Sequence, residues 1–528
     1  MNQSANHRLP EVDVELLLEG SYPYVTGGVS SWVHWLIEGL PHIRFGLTHF
    51  AAKRDKEPQI KYQLPGNVLF LQNIYLHDAI FLPPGIPDKN WSEHRFYHEL
   101  YRLHKEPRKN RFGNFGDLLQ HLSEIRTLSS LKDLFFNRQS FALLTGLYNQ
   151  SSPESSFIDF FWTWRFMHLP LVQLLQARRS PARLCHAICT GYAGFYGALR
   201  KATEGVPLLL TEHGIYTRER NIEITQADWI HSEKHAEHLV RKAHGTFKRL
   251  WLNFFEALGL YTYQMADRII TLYDGNRKAQ LLFGAEAARI DIIPNGINLD
   301  RFLDLRSNVP PDPIAFRVGF VGRIVSIKDI KTLLKAAQLV LLRVPKASFW
   351  LIGPLDEEPE YSLEVQQMAS DLQIDHKVHF LGRQNVLEYY PKLDVVVLTS
   401  ISEGQPLSIL EAMAAGVPNV ATDVGGCREL LYGRESEDRI LGPCGVITNL
   451  RSPMQTAEGI FEICLNPKKW EHMANAGKIR VKAYYRQSEV VARYKRLYER
   501  FMSKTPAISP SLHDLAKVRN ADQLKGGI

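Results

Sequence analysis

No stretch of the chain reaches the ~18 consecutive apolar residues that a membrane-spanning helix needs. The nearest, 157–175, is interrupted by Asp159, Arg165, His168 and Pro170. It reads as a core helix broken at Pro170 or as a surface that docks on a partner or membrane edge, and its large apolar side chains favour the core. The five cysteines, Cys185, Cys189, Cys427, Cys444 and Cys464, are odd in number and follow no disulfide spacing, which suits a reducing compartment. Cys185-His186 with Cys189 lacks the second ligand pair of a zinc site. The N-terminal residues lack the basic-then-apolar layout of a secretory signal, so a cytoplasmic location is expected.

Charge of one sign is also scarce. The 63 Lys and Arg against 56 Asp and Glu leave +7 over 528 residues, with only short basic clusters such as 105–111. That argues against a nucleic-acid partner, which selects a basic stripe, and leaves anionic small molecules open. There is no G-x-G-x-x-G, so the dinucleotide fingerprint is missing.

What is present is a repeated alternation of short apolar runs and helical patterns, the pattern of a parallel sheet flanked by helices. It occurs twice, which predicts an α/β chain with two Rossmann-like, doubly wound domains in tandem. The first spans 1–306, with strands at Val12–Leu18, Leu184–Ile188, Pro207–Thr211, Arg268–Leu272 and Ile290–Ile293. An aromatic-rich helical insertion is expected at about 88–183. Residues 307–313 carry three prolines and read as a stiff linker. The second domain spans 307–480, a helix follows within 481–502, with packing back on the first domain as one placement for it, and 503–528 reads as a loose polar tail. A cleft between two such domains is the natural ligand site.

The stretch Ser402–Gly426 carries the densest signal. Pro406 opens a helix, and Gly416 with Pro418 closes it. At ~1.5 Å of rise per residue, Glu403 and Glu411 lie at most ~12 Å apart along the axis, enough to hold two parts of a nucleotide-sized ligand. Between them, the N–H groups of Leu407 and Ser408 have no intrahelical partner and suit a diphosphate. An ordinary amphipathic helix with solvated glutamates fits the same spacing. Arg323 and Lys328 share the loop that starts at Gly322, after the second domain's first strand, where two cations suit a leaving phosphate. In the first domain, Gly27-Gly28 before a helix lets a ligand approach the backbone. His213 follows directly on a strand's carboxyl end, where open parallel sheets bind ligands, although a lone histidine is as readily structural.

With these residues in hand, the chain resembles the retaining glycosyltransferases of family four, which have the two-domain GT-B fold. The likeness rests on Gly27-Gly28-Val29, Glu212-His213-Gly214, Pro294-Asn295-Gly296, Gly322-Arg323 with Lys328, and Glu403 separated by seven residues from Glu411. It implies transfer from a UDP-sugar donor with retention of configuration and no bound metal or other cofactor. The sequence contains no D-x-D, the usual carboxylate pair for a nucleotide-bound metal. It further implies that Arg323 and Lys328 hold the donor diphosphate, that Glu403 faces the sugar hydroxyls and that Glu411 binds the ribose. His213 would lie beside the sugar, and Gly27-Gly28 near the phosphates and acceptor. The bulky Trp32 and Trp35 depart from the small residues common there. The segments EVDVELLLEGSYPYVTGGVSSWVHWLIEGLP and TEHGIYTRERNIEI are similar to exopolysaccharide-building members of the family. That likeness implies a polysaccharide acceptor and inner-membrane synthase proteins as partners, with the enzyme held at the inner face of the cytoplasmic membrane. A nucleotide-sugar enzyme with a small-molecule acceptor, and a catalytically silent scaffold subunit, are the alternative readings.

Overall fold

The structure, a computed structural model, describes residues 9–52, 54, 59–77, 138–151, 156–226, 237–302, 305 and 309–503. The part of the expected insertion before residue 138, residues 307 and 308 of the linker and the tail from 504 lie outside these residues.

The first sheet has seven strands: β1 (Val12–Glu19), β2 (Phe45–Ala51), β3 (Val68–Tyr75), β4 (Ala182–Ala187), β5 (Leu208–Glu212), β6 (Arg268–Thr271) and β7 (Ile290–Ile292). All pairings are parallel, in the order β3-β2-β1-β4-β5-β6-β7. β1 reads as a central strand because Val12 through Leu18 are all buried. Two of its three carboxylates, Asp13 and Glu15, are buried and matched by partners. Asp13 binds Arg44, and the fully buried Glu15 takes bonds from Arg200, Thr48 and Ser180.

The second sheet has six parallel strands: β8 (Arg317–Val321), β9 (Ser348–Ile352), β10 (Val378–Gly382), β11 (Val395–Leu398), β12 (Asn419–Thr422) and β13 (Gly445–Thr448). Their order is β10-β9-β8-β11-β12-β13. In each sheet the strand order reverses beside the first strand, between β1 and β4 and between β8 and β11. Open α/β sheets bind ligands in the crevice at this reversal, beyond the carboxyl ends of the strands.

The expected break at Pro170 does not occur. The helix Phe157–Gln176 runs through it, since a proline removes one backbone bond while burial of Phe160, Trp164, Met167 and Leu174 holds the helix on both sides. The opposite face leaves Ile158, Trp162 and Phe166 exposed.

The chain crosses between the domains twice. It first leaves β7 through 294–302, and it later returns as the helix Gln487–Met502, whose Val490, Tyr494, Tyr498 and Phe501 are buried in the same cluster as Trp32, Leu36 and Leu184 of the first domain. Each side chain so buried contributes about 1.5–3 kcal/mol. The tyrosine hydroxyls find partners there, Tyr498 at His186 Nδ1 (2.7 Å) and Tyr494 at Thr211 Oγ1 (3.1 Å). Strands β2, β3 and β13, and the helices Pro453–Cys464 and Pro467–Tyr484, were not anticipated. Polar residues inside β2 and β3, such as His49, Gln72 and Asn73, mask their apolar runs.

Candidate functional site

The loop leaving β8 begins where two backbones touch. A Cβ on Gly353, itself at φ +151°, would lie 1.9 Å from the Gly322 carbonyl oxygen, so only glycine lets the β8 and β9 exits pack this closely. A 3-10 turn, Ser326–Lys328, then ends on Asp329 in the left-handed region at φ +48°. Asp329 accepts from Thr332 N–H and Thr332 Oγ1, capping the helix Ile330–Arg343. The Thr399 hydroxyl binds the carbonyls of Lys328 and Asp329, both at 3.0 Å, and Ile401 N–H donates to Ile327 O at 2.8 Å. These bonds stitch the loop after β8 to the loop after β11 and turn Lys328 inward. Lys328 Nζ donates to Glu403 Oε1 at 2.5 Å, and Ser400 Oγ donates to the same oxygen at 2.6 Å. Arg323 goes elsewhere, pairing with Glu357 at 2.7 Å with its side chain about half exposed.

The helix Leu407–Ala414 follows Pro406, with no side chain capping its N-terminus. Leu407 and Ser408 sit in its first turn, half-buried. Glu411, one turn on, accepts from the hydroxyl of the fully buried Tyr390 at 2.8 Å. Burial pushes the Glu411 carboxyl up to about 6, against the pull of Tyr390 and the charge of Arg301.

The first domain closes over this surface. The backbone of His213 presses on the loop carrying Glu403, where a Cβ on Gly404 would lie 2.6 Å from the His213 carbonyl oxygen. The His213 ring is buried, and neither nitrogen has a partner among the described residues. Burial lowers its pKa to about 4, so the imidazole is neutral at pH 7. Trp32 stands edge-on to it, ring centroids 4.7 Å apart. The departure at Trp32 is therefore a wall beside His213, while Trp35 stands edge-on to Trp32 with ring centroids 5.8 Å apart. A Cβ on Gly28 would touch Leu407 Cδ1 at 4.0 Å, which brings the glycine pair opposite the helix start, and a Cβ on Gly27 would meet no described atom within 4 Å.

Two interdomain contacts fix the approach. Asn295 N–H donates to Gln405 Oε1 at 2.6 Å and Asn295 Nδ2 to Gln405 O at 3.1 Å. On the flank, the Glu429 carboxylate accepts from Asp274 N–H (2.9 Å) and Gly275 N–H (3.3 Å), capping the helix Asp274–Leu282 across the domain boundary.

The structure thus gathers Lys328, Glu403, the Leu407–Ser408 turn, Gly28 and His213 about one cleft, and gives Arg323 and Glu411 partners of their own. Sequence reasoning missed Ser400, Gln405, Tyr390, Glu357 and Glu429. Four of them act through contacts between distant chain segments, and only Ser400, three residues before Glu403, carried a local signal. Among the described residues no three or more His, Cys, Asp or Glu side chains gather as a metal site, and no helix is long and apolar enough to cross a membrane.

Comparison with known proteins follows this division. A family model described as "Domain of unknown function (DUF3492)" matches residues 12–288, more than half of the chain. The chain belongs to this family. A second model, "Glycosyl transferases group 1", matches residues 306–480. Among curated relatives, D-inositol 3-phosphate glycosyltransferase of Pseudarthrobacter chlorophenolicus is 36% identical over 163 residues, 29% of this chain and 38% of that protein. Its counterpart in Rhodococcus erythropolis is 33% identical over 237 residues, 40% of this chain and 52% of that protein. The match therefore spans about half or less of these relatives. Among solved structures, sucrose-phosphate synthase of Thermosynechococcus elongatus superposes with a TM-score of 0.57 at 16% identity, covering 93% of this chain and 100% of that one. Anabaena HepE in complex with UDP gives 0.55 at 15% identity, covering 92% and 99%. These likenesses show the fold, GT-B, with two parallel-sheet Rossmann-like domains.

Proposed function

We propose that this chain is a UDP-sugar-dependent, retaining glycosyltransferase that moves a hexosyl or N-acetylhexosaminyl unit to a growing exopolysaccharide. The observation that carries the reading is the Lys328–Glu403 pair beside the uncapped start of the helix Leu407–Ala414, facing His213 and Gly28 across the interdomain cleft. A cation and free helix N–H groups are what a departing UDP requires. The second-domain match to group 1 glycosyl transferases supports the same reaction class, and UDP is bound in the HepE neighbour.

In this reading Lys328 and the Leu407 and Ser408 N–H groups take up charge as the sugar–phosphate bond breaks. Neutral His213, with neither nitrogen partnered among the described residues, offers one donor and one acceptor to the sugar. Lys328 and Ser400 both occupy Glu403 Oε1. Arg323 reaches the diphosphate by exchanging Glu357 for phosphate.

The first-domain segments resemble PelF, the cytosolic glycosyltransferase of Pel exopolysaccharide synthesis. That likeness supports a polysaccharide acceptor and recruitment to inner-membrane synthase proteins. A thermal-shift panel of UDP, UDP-glucose, UDP-N-acetylglucosamine and UDP-N-acetylgalactosamine tests the donor reading. Ligand at 100 times its dissociation constant adds about 2.7 kcal/mol of stability. No shift with any of them, and no UDP binding by calorimetry, overturns it.

A further inference from the structure

Tyr390 has no exposed surface and stands 21 positions before Glu411 in the chain, on the 3-10 turn Tyr390–Lys392 that leads into β11. A buried tyrosine hydroxyl needs an acceptor. Two oxygens are within reach, the Ser408 carbonyl at 3.4 Å and Glu411 Oε2 at 2.8 Å. The carboxylate is much the better placed of the two. The ring is held from behind by Phe302, edge-on with centroids 6.0 Å apart. Phe302 belongs to the segment where the chain passes from the first domain to the second, and Arg301 beside it is the cation whose charge reaches Glu411.

A lone glutamate on a helix rotates freely about its terminal torsion. Tyr390 removes that freedom by taking one lone pair of Oε2. Oε1 has no hydrogen-bond partner among the described residues. A fixed carboxylate with one oxygen open and the other half-occupied matches a vicinal diol, which presents two donors at a set spacing.

We propose that Tyr390 is a positioning residue that locks the Glu411 carboxylate for the ribose diol of a nucleoside diphosphate. This rests on the reading of Glu411 as the ribose ligand. It adds that the selectivity for an intact ribose is set by a residue outside the cleft, seated on the domain junction.

The test measures the affinity of the full chain for UDP and for 2′,3′-dideoxy-UDP, with Tm recorded alongside. The wild-type protein is expected to prefer UDP by at least about tenfold, the worth of one hydrogen bond to a charged group. Tyr390→Phe deletes one oxygen and keeps the ring against Phe302. It is expected to bring that preference below about threefold while changing the dideoxy affinity less than about twofold. A Tyr390→Phe protein that keeps the full preference, or that weakens both ligands equally, overturns the positioning role. A wild-type protein without preference for UDP instead overturns the ribose reading of Glu411. Should Tyr390→Phe fail to fold, 3-fluorotyrosine at 390 keeps the shape with a more acidic, stronger donor. The preference must then change, and an unchanged one refutes the proposal.

Discussion

Lys328 Nζ and Glu403 Oε1 meet at 2.5 Å in a cleft that leaves the two side chains only 15% and 11% exposed. Without ligand, the lysine neutralises the glutamate. On the proposed reading, a diphosphate gives the lysine a stronger anion to serve and releases Glu403 toward the sugar. Lys328→Ala is therefore expected to cost about 3 kcal/mol of transition-state stabilisation, roughly a hundredfold in turnover. The fold should persist, because Ser400 still donates to Glu403. Turnover of a UDP-sugar by the variant at the wild-type rate would refute the assignment.

The pH dependence of stability follows from four buried histidines. Burial lowers His49, His168 and His213 to about 4 and His186 to about 3, from 6.5. A depressed folded pKa gives stability that is full above pH 6.5 and is lost as pH falls toward 4, about 1.4 kcal/mol per pH unit for each group. Glu212 and Glu411, raised by burial from 4.5 to about 6, act oppositely. Their share is full below 4.5 and lost as pH rises through 6. Glu219 and Glu429 are raised by burial as well and act in the same sense, so the carboxylates offset part of the histidine loss at lower pH, while above about 6 the histidines act alone and acidification costs stability. Thermal unfolding should show Tm dropping from pH 7 to 6. A Tm that holds or rises over that range would contradict the burial of these imidazoles as neutral groups.

Much of this was legible in the chain because it is written locally. The Val12–Leu18 run, the Pro406 and Gly416 punctuation and the spacing of Glu403 and Glu411 are short-range signals, and strand, helix and loop follow from them. The side chain of Arg323 was not legible. Its partner Glu357 sits 34 residues on, at the exit of a different strand, and only the folded sheet makes them neighbours. Tyr390 was hidden for the same reason, and Trp32 was visible as an oddity but not as the wall behind His213. Pro170 misled because propensity counts the lost backbone bond and not the buried face that outweighs it.

Glu429 holds the domains together from the flank. Its carboxylate caps the first turn of Asp274–Leu282, two free N–H groups at the positive end of that helix. Losing a cap of this kind costs about 0.5–2 kcal/mol, here charged to the closed arrangement and not to either domain alone. Glu429→Ala is expected to increase the radius of gyration measured by small-angle X-ray scattering and to raise the KM for donor several-fold. Tm should change little. Unchanged scattering together with an unchanged KM would show that the Asn295–Gln405 bonds suffice to hold the domains.

Gly404 tests whether closure itself matters to turnover. An added Cβ there meets backbone, the His213 carbonyl oxygen at 2.6 Å and its carbon at 3.3 Å. Backbone cannot step aside as a flexible side chain does, so the cheapest relief for Gly404→Ala is to part the domains. That withdraws His213 from Glu403 and opens the cleft to water, which weakens every electrostatic contact inside it. A fall in kcat/KM of at least about tenfold, equivalent to 1.4 kcal/mol, is expected with Tm nearly unchanged. Gly27→Ala is the control from the same cleft. Its Cβ meets no described atom within 4 Å, so it strains no protein contact and can hinder only a bound ligand. Its effect should fall on the KM of the donor or acceptor, with scattering identical to wild type. If Gly404→Ala instead turns over at the wild-type rate, the contact between His213 and the Glu403 loop plays no part in catalysis.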